Sequence, residues 1–484
     1  MAKILILNNK KCQIEGLDDK VVRKLYHHLS FKLLGVEYSA AYQNGWSGYT
    51  YLLSKNNKFN YGLLQKVKTF LNKENIEFSV EDKRQAKVIN EELSILDNLK
   101  KYNLIPREHQ EKIIEAMLST DRGIIRAATG AGKTLCTALY TAKINKPTNI
   151  YVIGLDLLDQ FYNLFSKLFN EKIGYVGNGV CDIQRINIVS IWTIGKALQL
   201  KDIVDDDEGL IEKDLIPSNR DKIIELLKNT KVHILDESHV CTTNTLLEIY
   251  KHIDPEYLFG FSGTPFRDDN SDLLINSILG EKIIDVSASE LIAKNILAPP
   301  IIRFLTVPKK TVNSVYTAAY KEYIVENEER NNLIVDTAKM LINKNYTVLA
   351  LFKQIKHGKI LFDMLTNENI KFDMLSGNDS LERRNEIKKK IVDKEINLVL
   401  SSTIFDIGLD LPELNALILC GGGKSSIRAL QRIGRVIRSY PGKKQAAVVD
   451  FYDQAKFFKK HSTIRYSIYA SEKGFNVIKS KEMK

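Results

Sequence analysis

The stretch GIIRAATGAGKTLCTALY, residues 123–140, decides the fold of the chain. Residues 123–127 are typical of a short buried strand, and the residues from Leu135 onward continue as a helix. Gly130 and Gly132 lie between the strand and the helix. There the backbone N–H groups can point inward toward an anion, and the positive end of the helix dipole adds to the attraction. A strand, a glycine loop and a helix in this order predict a phosphate-binding loop.

The pattern G-x-x-x-x-G-K-[ST] gives this loop its chemistry. Lys133 is expected to hold the β- and γ-phosphates of a nucleotide, and the Thr134 hydroxyl is expected to ligate Mg²⁺. The first position of the pattern is Ala127 rather than glycine, so the loop taken alone also fits an ordinary turn. The nucleotide-binding residues predicted in the loop are Thr129, Gly130, Ala131, Gly132, Lys133 and Thr134.

A second element, ILDESH at residues 234–239, lies about a hundred residues further along. Its apolar run ends in Asp236 and Glu237, which places both carboxylates at the carboxyl edge of a parallel strand, where open α/β sheets bind ligands. We expect Asp236 to bind Mg²⁺ and Glu237 to orient and deprotonate the attacking water. An Asp-Glu pair can also simply cap a helix. Together with the loop, in this order, it favours a complete site for ATP and Mg²⁺.

Composition indicates a multidomain chain and is compatible with a polyanionic partner. A length of 484 residues corresponds to about three domains. The chain has 70 Lys and Arg residues against 59 Asp and Glu, which gives a formal charge of +11. This charge is compatible with binding to nucleic acid, and equally with a basic surface that only contacts solvent. The five cysteines form no C-x-x-C pair, so a reducing cytoplasm is favoured. No apolar run approaches membrane-spanning length, and no membrane partner is expected.

Periodicity predicts an α/β protein with three domains. Residues 1–98 combine short alternating segments with helical stretches at 19–33 and 61–74, typical of a small α+β module. Residues 99–300 and 301–484 each alternate strands and helices, which predicts two RecA-like, doubly wound parallel-sheet lobes. Pro299 and Pro300 mark the join. The acidic segment 201–220 is predicted to be a solvated surface insertion without a function.

The run QRIGRVIR at residues 431–438 carries a third chemical signal. Arg435 and Arg438 lie three residues apart on one helix face, and planar guanidinium forks suit the charge that develops on a transferred γ-phosphate. The alternative is a basic, exposed helix face. With the glycine loop upstream, the run resembles the sixth signature of superfamily 2 helicases and translocases, and the resemblance implies a catalytic role for Gln431 as well.

The resemblance covers roughly residues 100–460 and implies further roles in the nucleotide site. Residues 106–110 resemble the adenine-reading element, which implies that Gln110 and Arg107 bind the nucleotide. Gly408-Leu-Asp410 resembles the fifth signature, whose aspartate lies near the ribose, and this implies nucleotide contacts for Gly408 and Asp410.

Other positions are implied to couple hydrolysis to movement along a strand. Ser262-Gly-Thr264 resembles the signature with that role, and His239 is expected to bridge Glu237 to Ser262 and Thr264. A histidine there can also merely fill a packing gap. The positions implied to contact nucleic acid are Gln160, Ser190, Thr193, Lys353, Ser402 and Thr403.

Within the superfamily the sequence resembles phage UvsW-type branch-migration helicases and, more distantly, the XPB and RecG groups. YIVENEERNN at residues 323–332 and a looser match over residues 16–49 carry this likeness. In such proteins the front domain contacts duplex or branched DNA. Trp46 is a candidate to stack on an unpaired base, although a core tryptophan of a small sheet is the favoured interpretation. Candidate phosphate contacts are Lys55, Lys58, Lys66 and Lys68.

The expected function is therefore that of an ATP-dependent, Mg²⁺-requiring DNA helicase that unwinds forks and migrates junctions. The resemblance also implies phage recombination or replication proteins as partners, in the host cytoplasm. Three alternatives stay open: an RNA helicase, disfavoured because residues 236–239 and 431–435 depart from the DEAD-box forms; the motor of a restriction system, disfavoured by the lack of a nuclease cluster; and a nucleotide-gated DNA clamp.

Overall fold

The computed structural model describes residues 1–32, 36–38, 40–88, 90–200, 219–238, 243–263, 272–368, 370–377, 379–402, 411–423 and 426–480. Contacts divide the chain into two compact units. The first unit holds the described residues up to 285 other than 128–130, and the second holds 128–130 and the described residues from 286 onward.

The N-terminal part of the first unit is a small α+β module. Its strands are β1 (Ala2–Ile6), β2 (Lys11–Glu15), β3 (Ser30–Lys32), β4 (Tyr49–Tyr51), β5 (Lys58–Asn60) and β6 (Phe78–Asp82), and its helices are α1 (Asp19–His28), α2 (Ala40–Gln43) and α3 (Leu64–Lys73). A four-stranded sheet has the order β5-β2-β1-β6, with β1 and β6 parallel, and β3 pairs with β4 alone. Buried residues such as Ile4, Leu25 and Phe59 form its own core.

The rest of the first unit is a doubly wound lobe. Its helices are α4 (Leu96–Lys101), α5 (Glu108–Leu118), α6 (Lys133–Ile144), α7 (Leu155–Leu168), α8 (Ile191–Ala197), α9 (Arg220–Asn229), α10 (Thr243–His252) and α11 (Asp272–Leu279). Its strands are β7 (Arg122–Ala127), β8 (Thr148–Val152), β9 (Gly174–Gly177), β10 (Val180–Asp182), β11 (Ile186–Ser190), β12 (Val232–Leu235), β13 (Tyr257–Ser262) and β14 (Lys282–Val286).

Strand order in this lobe determines where its site lies. The eight-stranded sheet has the order β10-β9-β11-β8-β12-β13-β7-β14, and β8, β12, β13 and β7 pair in parallel. Every residue of β8, β11 and β12 is buried, as expected for parallel strands covered by helices on both faces. Because β13 lies between β7 and β12, the residues that follow these three strands meet at one edge of the sheet.

The second unit is another doubly wound lobe. Its helices are α12 (Ala288–Ala293), α13 (Tyr316–Tyr320), α14 (Glu328–Asn343), α15 (Ile355–Thr366), α16 (Leu381–Val392), α17 (Ser426–Val436) and α18 (Lys456–Ser471). Its strands are β15 (Pro300–Val307), β16 (Val348–Phe352), β17 (Phe372–Leu375), β18 (Leu398–Ser402), β19 (Ala416–Leu419), β20 (Ala446–Asp453) and β21 (Asn476–Ser480). They form one sheet of order β17-β18-β16-β19-β20-β15-β21, with parallel pairing throughout.

A buried arginine organises the centre of this second sheet. Arg330 is fully buried in α14, donates to Asp453 at 2.9 Å and to the Cys420 carbonyl at 2.6 Å, and its guanidinium lies 4.6 Å from the centre of the Phe451 ring. The attraction between two buried charges offsets the cost of their desolvation when the geometry is good and further hydrogen bonds are made, here the one to the Cys420 carbonyl. The segment at 323–332 that carried the family resemblance therefore has a structural role in joining α14 to β19 and β20.

The predicted fold class is confirmed: two doubly wound parallel-sheet lobes follow a small α+β module. The domain limits at residues 98 and 300 stay predictions, while Pro300, predicted to mark the join, is the first residue of β15. The acidic segment lies outside the described residues except for its last two positions, 219 and 220. Among the described helices, none combines the length and the apolar character that crossing a membrane would need.

Candidate nucleotide-hydrolysis site

The predicted phosphate-binding loop has the expected local structure. β7 ends at Ala127, Gly130 and Gly132 have φ values of +89° and +81°, and α6 begins at Lys133. Positive φ costs an L-residue about 1–2 kcal/mol, so both positions favour glycine. Ala127, which departs from the family pattern, is fully buried at the end of its strand, where its small side chain fits.

Gln110 and its neighbour support this loop from α5. The Gln110 side chain accepts a hydrogen bond from the backbone N–H of Arg107 at 2.9 Å and donates to the Ala131 carbonyl at 3.0 Å. His109 Nε2 lies 3.0 Å from the same carbonyl oxygen, so it also donates. A Cβ built on Gly132 would lie 2.1 Å from Gln110 Nε2. Gln110 therefore contacts the phosphate-binding loop, with both ends of its amide engaged, while the Arg107 side chain is exposed.

Three of the predicted catalytic side chains meet at the carboxyl edge of the sheet. Asp236 and Glu237 follow β12, and Lys133 Nζ forms an ion pair with Glu237 Oε1 and lies 3.9 Å from Asp236 Oδ1. The three side chains are only 11%, 7% and 21% exposed, for Lys133, Asp236 and Glu237 respectively. Charges this poorly screened by water interact strongly. The arrangement provides one cation and two carboxylates beside a loop suited to phosphates.

The backbone around the carboxylates is fixed by the neighbouring strands. The Asp236 N–H donates to the Tyr151 carbonyl and the Ser238 N–H donates to the Phe261 carbonyl, both at 2.9 Å. Glu237 between them has a φ of +48°, in the left-handed region that a non-glycine residue enters only when its surroundings hold it there. Strain of this kind occurs preferentially at functional sites.

The predicted coupling element is described in part. Ser262 is fully buried as the last residue of β13, the strand between β7 and β12. His239 and Thr264, the other two members of the predicted element, lie outside the described residues, as do Gly408, Asp410 and Thr403.

The predicted arginine element is α17 and the residues after it; because α17 ends at Val436, the prediction that Arg435 and Arg438 lie on one helix face is wrong. Gln431, Arg435 and Arg438 are all half-buried, and Arg438 forms a backbone bridge with Leu297. Residues 128–130 of the phosphate-binding loop group with this second unit. A Cβ on Gly130 would lie 3.7 Å from Arg438 Cγ, and a Cβ on Gly434 would lie 2.6 Å from Thr129 Cβ.

The residues implied to contact nucleic acid differ in exposure. Lys353, after β16, is exposed, and Gln160, in α7, is half-buried. Ser190, Thr193 and Ser402 are 0%, 4% and 7% exposed, so the surface they can offer is mainly backbone at the ends of their strands and helices.

The core interpretation of Trp46, favoured from the sequence, is wrong. Its side chain is 36% exposed, and the indole N–H donates to the Tyr49 carbonyl at 3.2 Å. Tyr49, at 44% exposure, lies beside it. The reason is that β3 and β4 pair only with each other, so this two-stranded sheet has a solvent face on which Trp46 can lie.

Sequence reasoning missed His109 as a support of the loop. The signal was present, because His109 precedes Gln110 in the same predicted element. Only the fold shows that both side chains converge on Ala131, since their direction depends on how α5 packs beside α6.

Three protein families match the chain in order. The N-terminal family of the DNA helicase UvsW matches residues 2–81, the res subunit family of type III restriction enzymes matches residues 103–267, and the helicase conserved C-terminal domain matches residues 330–440.

Individual proteins are similar over most of the chain. The ATP-dependent DNA helicase uvsW of Enterobacteria phage T4 is 26% identical, covering 95% of this chain and 95% of that protein. The DNA 3'-5' translocase XPB2 of Sulfurisphaera tokodaii is 22% identical, covering 69% and 78%. Among solved structures, S. cerevisiae Dbp5 bound to RNA and ADP BeF3 has a TM-score of 0.55 at 15% identity, covering 80% and 94%, a likeness that shows the fold.

The two lobes, the phosphate-binding loop and these matches define an ATP-hydrolysing helicase of superfamily 2. Within that class the chain is similar to UvsW, both along nearly its whole length and in its N-terminal part, and to the XPB group at lower identity.

Proposed function

We propose that this helicase uses ATP and Mg²⁺ to move along DNA and to unwind or migrate forked and branched junctions. The observation that carries the proposal is the convergence of Lys133, Asp236 and Glu237 beside the phosphate-binding loop. A cation for phosphates, a carboxylate for a metal and a carboxylate for water are the parts that phosphoryl transfer to water requires.

The donor set at this edge fits Mg²⁺. Asp236 provides a carboxylate on a buried residue, and Thr134 in the first turn of α6 provides a hydroxyl, and both are the hard oxygen ligands that Mg²⁺ prefers. Thr134 and Asp236 would hold the ion, which supplies charge neutralisation on the phosphates.

The ion pair between Lys133 and Glu237 explains how nucleotide binding would prepare the base. When phosphate oxygens take over Lys133, Glu237 loses its cationic partner and regains the basicity needed to accept a proton from water. Since the backbone on either side of Glu237 is held by β8 and β13, its carboxylate can orient the attacking water without a large rearrangement. Lys133 thus pairs with Glu237 before nucleotide binding and with phosphate after it.

Arg435 and Arg438 are proposed to stabilise the charge that develops on the γ-phosphate. Support comes from α17 and the residues after it, where Arg438 Cγ would lie 3.7 Å from a Cβ on Gly130. Guanidinium groups delivered from a second lobe make hydrolysis depend on conformation, which is how nucleotide turnover becomes movement.

DNA as the track is supported by charge and by similarity. The chain carries a formal +11 charge, and the phage T4 relative that it matches almost end to end is named a DNA helicase. The match of residues 2–81 to the UvsW N-terminal family, with Trp46 and Tyr49 exposed there, supports branched DNA as the preferred form. Phage recombination or replication proteins are the proposed partners, in the host cytoplasm.

The test compares ATP hydrolysis with no nucleic acid, single-stranded DNA, duplex, fork, four-way junction and RNA. Preferential stimulation by fork or junction supports the proposal, and preferential stimulation by RNA contradicts it. A strand-displacement assay on the same fork separates a motor from a clamp. DNA-stimulated hydrolysis without displacement or junction movement would favour the clamp.

A further inference from the structure

The second unit contains a cavity of about 700 Å³, and among the described residues that line it only Lys353 was predicted to contact nucleic acid. Its size lies within the range of pockets for small organic ligands, roughly 300–1,000 Å³. Lys353 and the glycines at 422 and 423 enter it from the carboxyl edge of the sheet, after β16 and β19, where doubly wound sheets bind ligands. The lining residues are Tyr316, Lys353, Gly422, Gly423, Arg432, Lys456, Phe457, Lys460, His461 and Ile464.

One wall of this cavity, which we call the α18 pocket, is aromatic. The Tyr316 and Phe457 rings meet edge to face, with centroids 5.6 Å apart and planes at 81°. Tyr316 is 39% exposed although it lies among apolar groups, and the His461 ring lies 5.9 Å from it. Exposed ring surface beside a cavity is the surface on which a nucleobase stacks.

The α18 pocket is also lined by positively charged side chains. Lys353, Lys456 and Lys460 are exposed, and Lys456 Nζ lies 5.1 Å from the centre of the Phe457 ring. Lys456 and Lys460 are one helical turn apart on α18, so they share a face. None of the ten lining residues is acidic, and within the described residues none of these three lysines forms an ion pair.

The glycine-containing floor is held rigidly from below. Arg465 is buried on α18, forms an ion pair with Asp450 at 2.8 Å and donates to the Gly423 carbonyl at 2.7 Å. Tyr320 donates to the Gly421 carbonyl. A preformed floor lowers the entropy lost when a ligand binds.

We propose that the α18 pocket accepts one unstacked nucleotide of a DNA strand. The base would lie against Tyr316 and Phe457, and Lys353, Lys456 and Lys460 would hold the flanking phosphates. Aromatic rings alone would bind many apolar ligands, and lysines alone would bind any anion. Rings and lysines together match the base and the phosphates of a nucleotide. The inference rests on the proposed function in taking DNA as the bound strand, and it adds α18 and α13 to the DNA-binding surface.

The test measures binding of labelled oligothymidine and of an abasic oligonucleotide of equal length to the full chain by fluorescence anisotropy. Lys456→Ala/Lys460→Ala is expected to weaken oligothymidine binding about tenfold. It should also make the slope of log affinity against log salt concentration less steep, by the equivalent of about two phosphate contacts. Phe457→Leu keeps apolar volume while removing the ring, and it is expected to abolish most of the preference for oligothymidine over the abasic strand. The charge-matched control is Lys309→Ala/Lys310→Ala, two exposed lysines of the same unit outside the pocket.

The outcomes separate this proposal from the proposed function. If the wild type binds DNA and both pocket variants bind both strands as the control does, the pocket proposal is overturned while the helicase function stands. If thymidine monophosphate competes as strongly as the oligonucleotide, with the loss confined to the pocket variants, a free nucleotide replaces the DNA strand as the ligand. If the wild type shows no DNA binding and no DNA-stimulated hydrolysis, the proposed function itself fails.

Discussion

Glu237 combines a strained backbone with a charged contact to Lys133. Its φ of +48° and its ion pair place the carboxylate beside the phosphate-binding loop, whereas a relaxed strand end would leave the side chain free to choose other rotamers. Strain retained at a site needs a compensating use. At Glu237 the strained backbone positions a proposed base, which becomes active only when Lys133 binds phosphate oxygens instead of the Glu237 carboxylate.

Glu237→Gln should therefore separate ATP binding from hydrolysis. The amide keeps the size of the side chain but cannot accept the proton from water, so we expect DNA-stimulated turnover to fall on the order of 10²- to 10⁴-fold with ATP still bound. Stopped-flow hydrolysis and binding of a fluorescent ATP analogue measure the two steps. Glu225→Gln, an exposed glutamate of α9, is the control. A wild-type hydrolysis rate in Glu237→Gln would remove Glu237 as the base.

At the scale of the element, the phosphate-binding loop depends on a glycine for two separable reasons. Gly132→Ala introduces a left-handed alanine and also a Cβ 2.1 Å from Gln110 Nε2. We expect it to weaken ATP binding at least tenfold, because the displaced Gln110 no longer supports the Ala131 carbonyl. Gly442→Ala is a matched control, since Gly442 has a φ of +83° but a Cβ there meets nothing within 4 Å.

The control variant should lose about 1 kcal/mol of stability with unchanged ATP affinity. Equilibrium binding of a fluorescent ATP analogue and urea unfolding are measured for the wild type, Gly132→Ala and Gly442→Ala. Equal ATP affinity in Gly132→Ala and Gly442→Ala would show that the contact with Gln110 is unimportant.

The helix α17 and the residues after it allow a test of the arginine proposal. Arg438→Ala should slow hydrolysis on the order of 10³-fold while changing ATP affinity little, because the charge it stabilises appears only during transfer. Arg303→Ala, in β15 of the same unit, is the control. Single-turnover hydrolysis at saturating ATP provides the rate. Lost DNA affinity with a normal rate would instead identify Arg438 as a DNA contact.

Elements with strong local signals were predictable from the sequence, and those set by tertiary pairing were not. The strand β12 ends directly before Asp236 and Glu237, where the sequence predicted it, since a mainly apolar run ending in two acids has few alternatives. The helix predicted at 19–33 ends at His28, because residues 30–32 pair with β4 instead. For the same reason Trp46 was misplaced. The α18 pocket was not predicted either, since its residues come from five separated segments that only the fold brings together.

Each of the two units contains a buried neutral histidine, and both histidines make the free energy of unfolding depend on pH. His233 accepts from the Tyr151 hydroxyl at 2.7 Å and donates to the Thr230 carbonyl at 3.1 Å, and burial lowers its pKa from 6.5 to about 4. In the second unit, burial and the nearby Arg330 lower the pKa of His357 to about 3.

Both histidines should destabilise the fold as the pH falls. The unfolded chain takes up a proton near pH 6.5 while the folded chain does not, so this stability is complete above pH 6.5 and declines toward pH 4 and pH 3. At pH 5 the loss is about 2 kcal/mol for each histidine. Urea unfolding at pH 7 and pH 5 measures it, and His233→Gln should reduce the difference. A difference unchanged by this substitution would contradict the assignment.

The N-terminal module is built into the first unit rather than loosely attached. The Tyr61 ring lies between the Arg84 and Arg122 guanidinium groups, at 4.7 and 4.2 Å, and its hydroxyl donates to Asp121 at 2.9 Å. Gly62 lets this turn approach α11, since a Cβ there would lie 2.4 Å from the Asn276 carbonyl oxygen. Removing the module would leave Arg122 and Asp121 without these partners, so deletion confounds recognition with stability.

Trp46→Ala tests junction recognition without that complication. If the exposed indole stacks on an unpaired base at a branch, the variant should bind forks and four-way junctions about tenfold more weakly, while hydrolysis stimulated by plain single strands stays near the wild-type rate. Tyr102→Ala removes another exposed ring, which is 39% accessible and lies directly after α4, outside the N-terminal module, and it serves as the control. Anisotropy with matched fork and single-strand substrates gives both affinities. An equal loss on the two substrates would show that Trp46 does not distinguish branches, and the preference for junctions would then have to come from the two lobes alone.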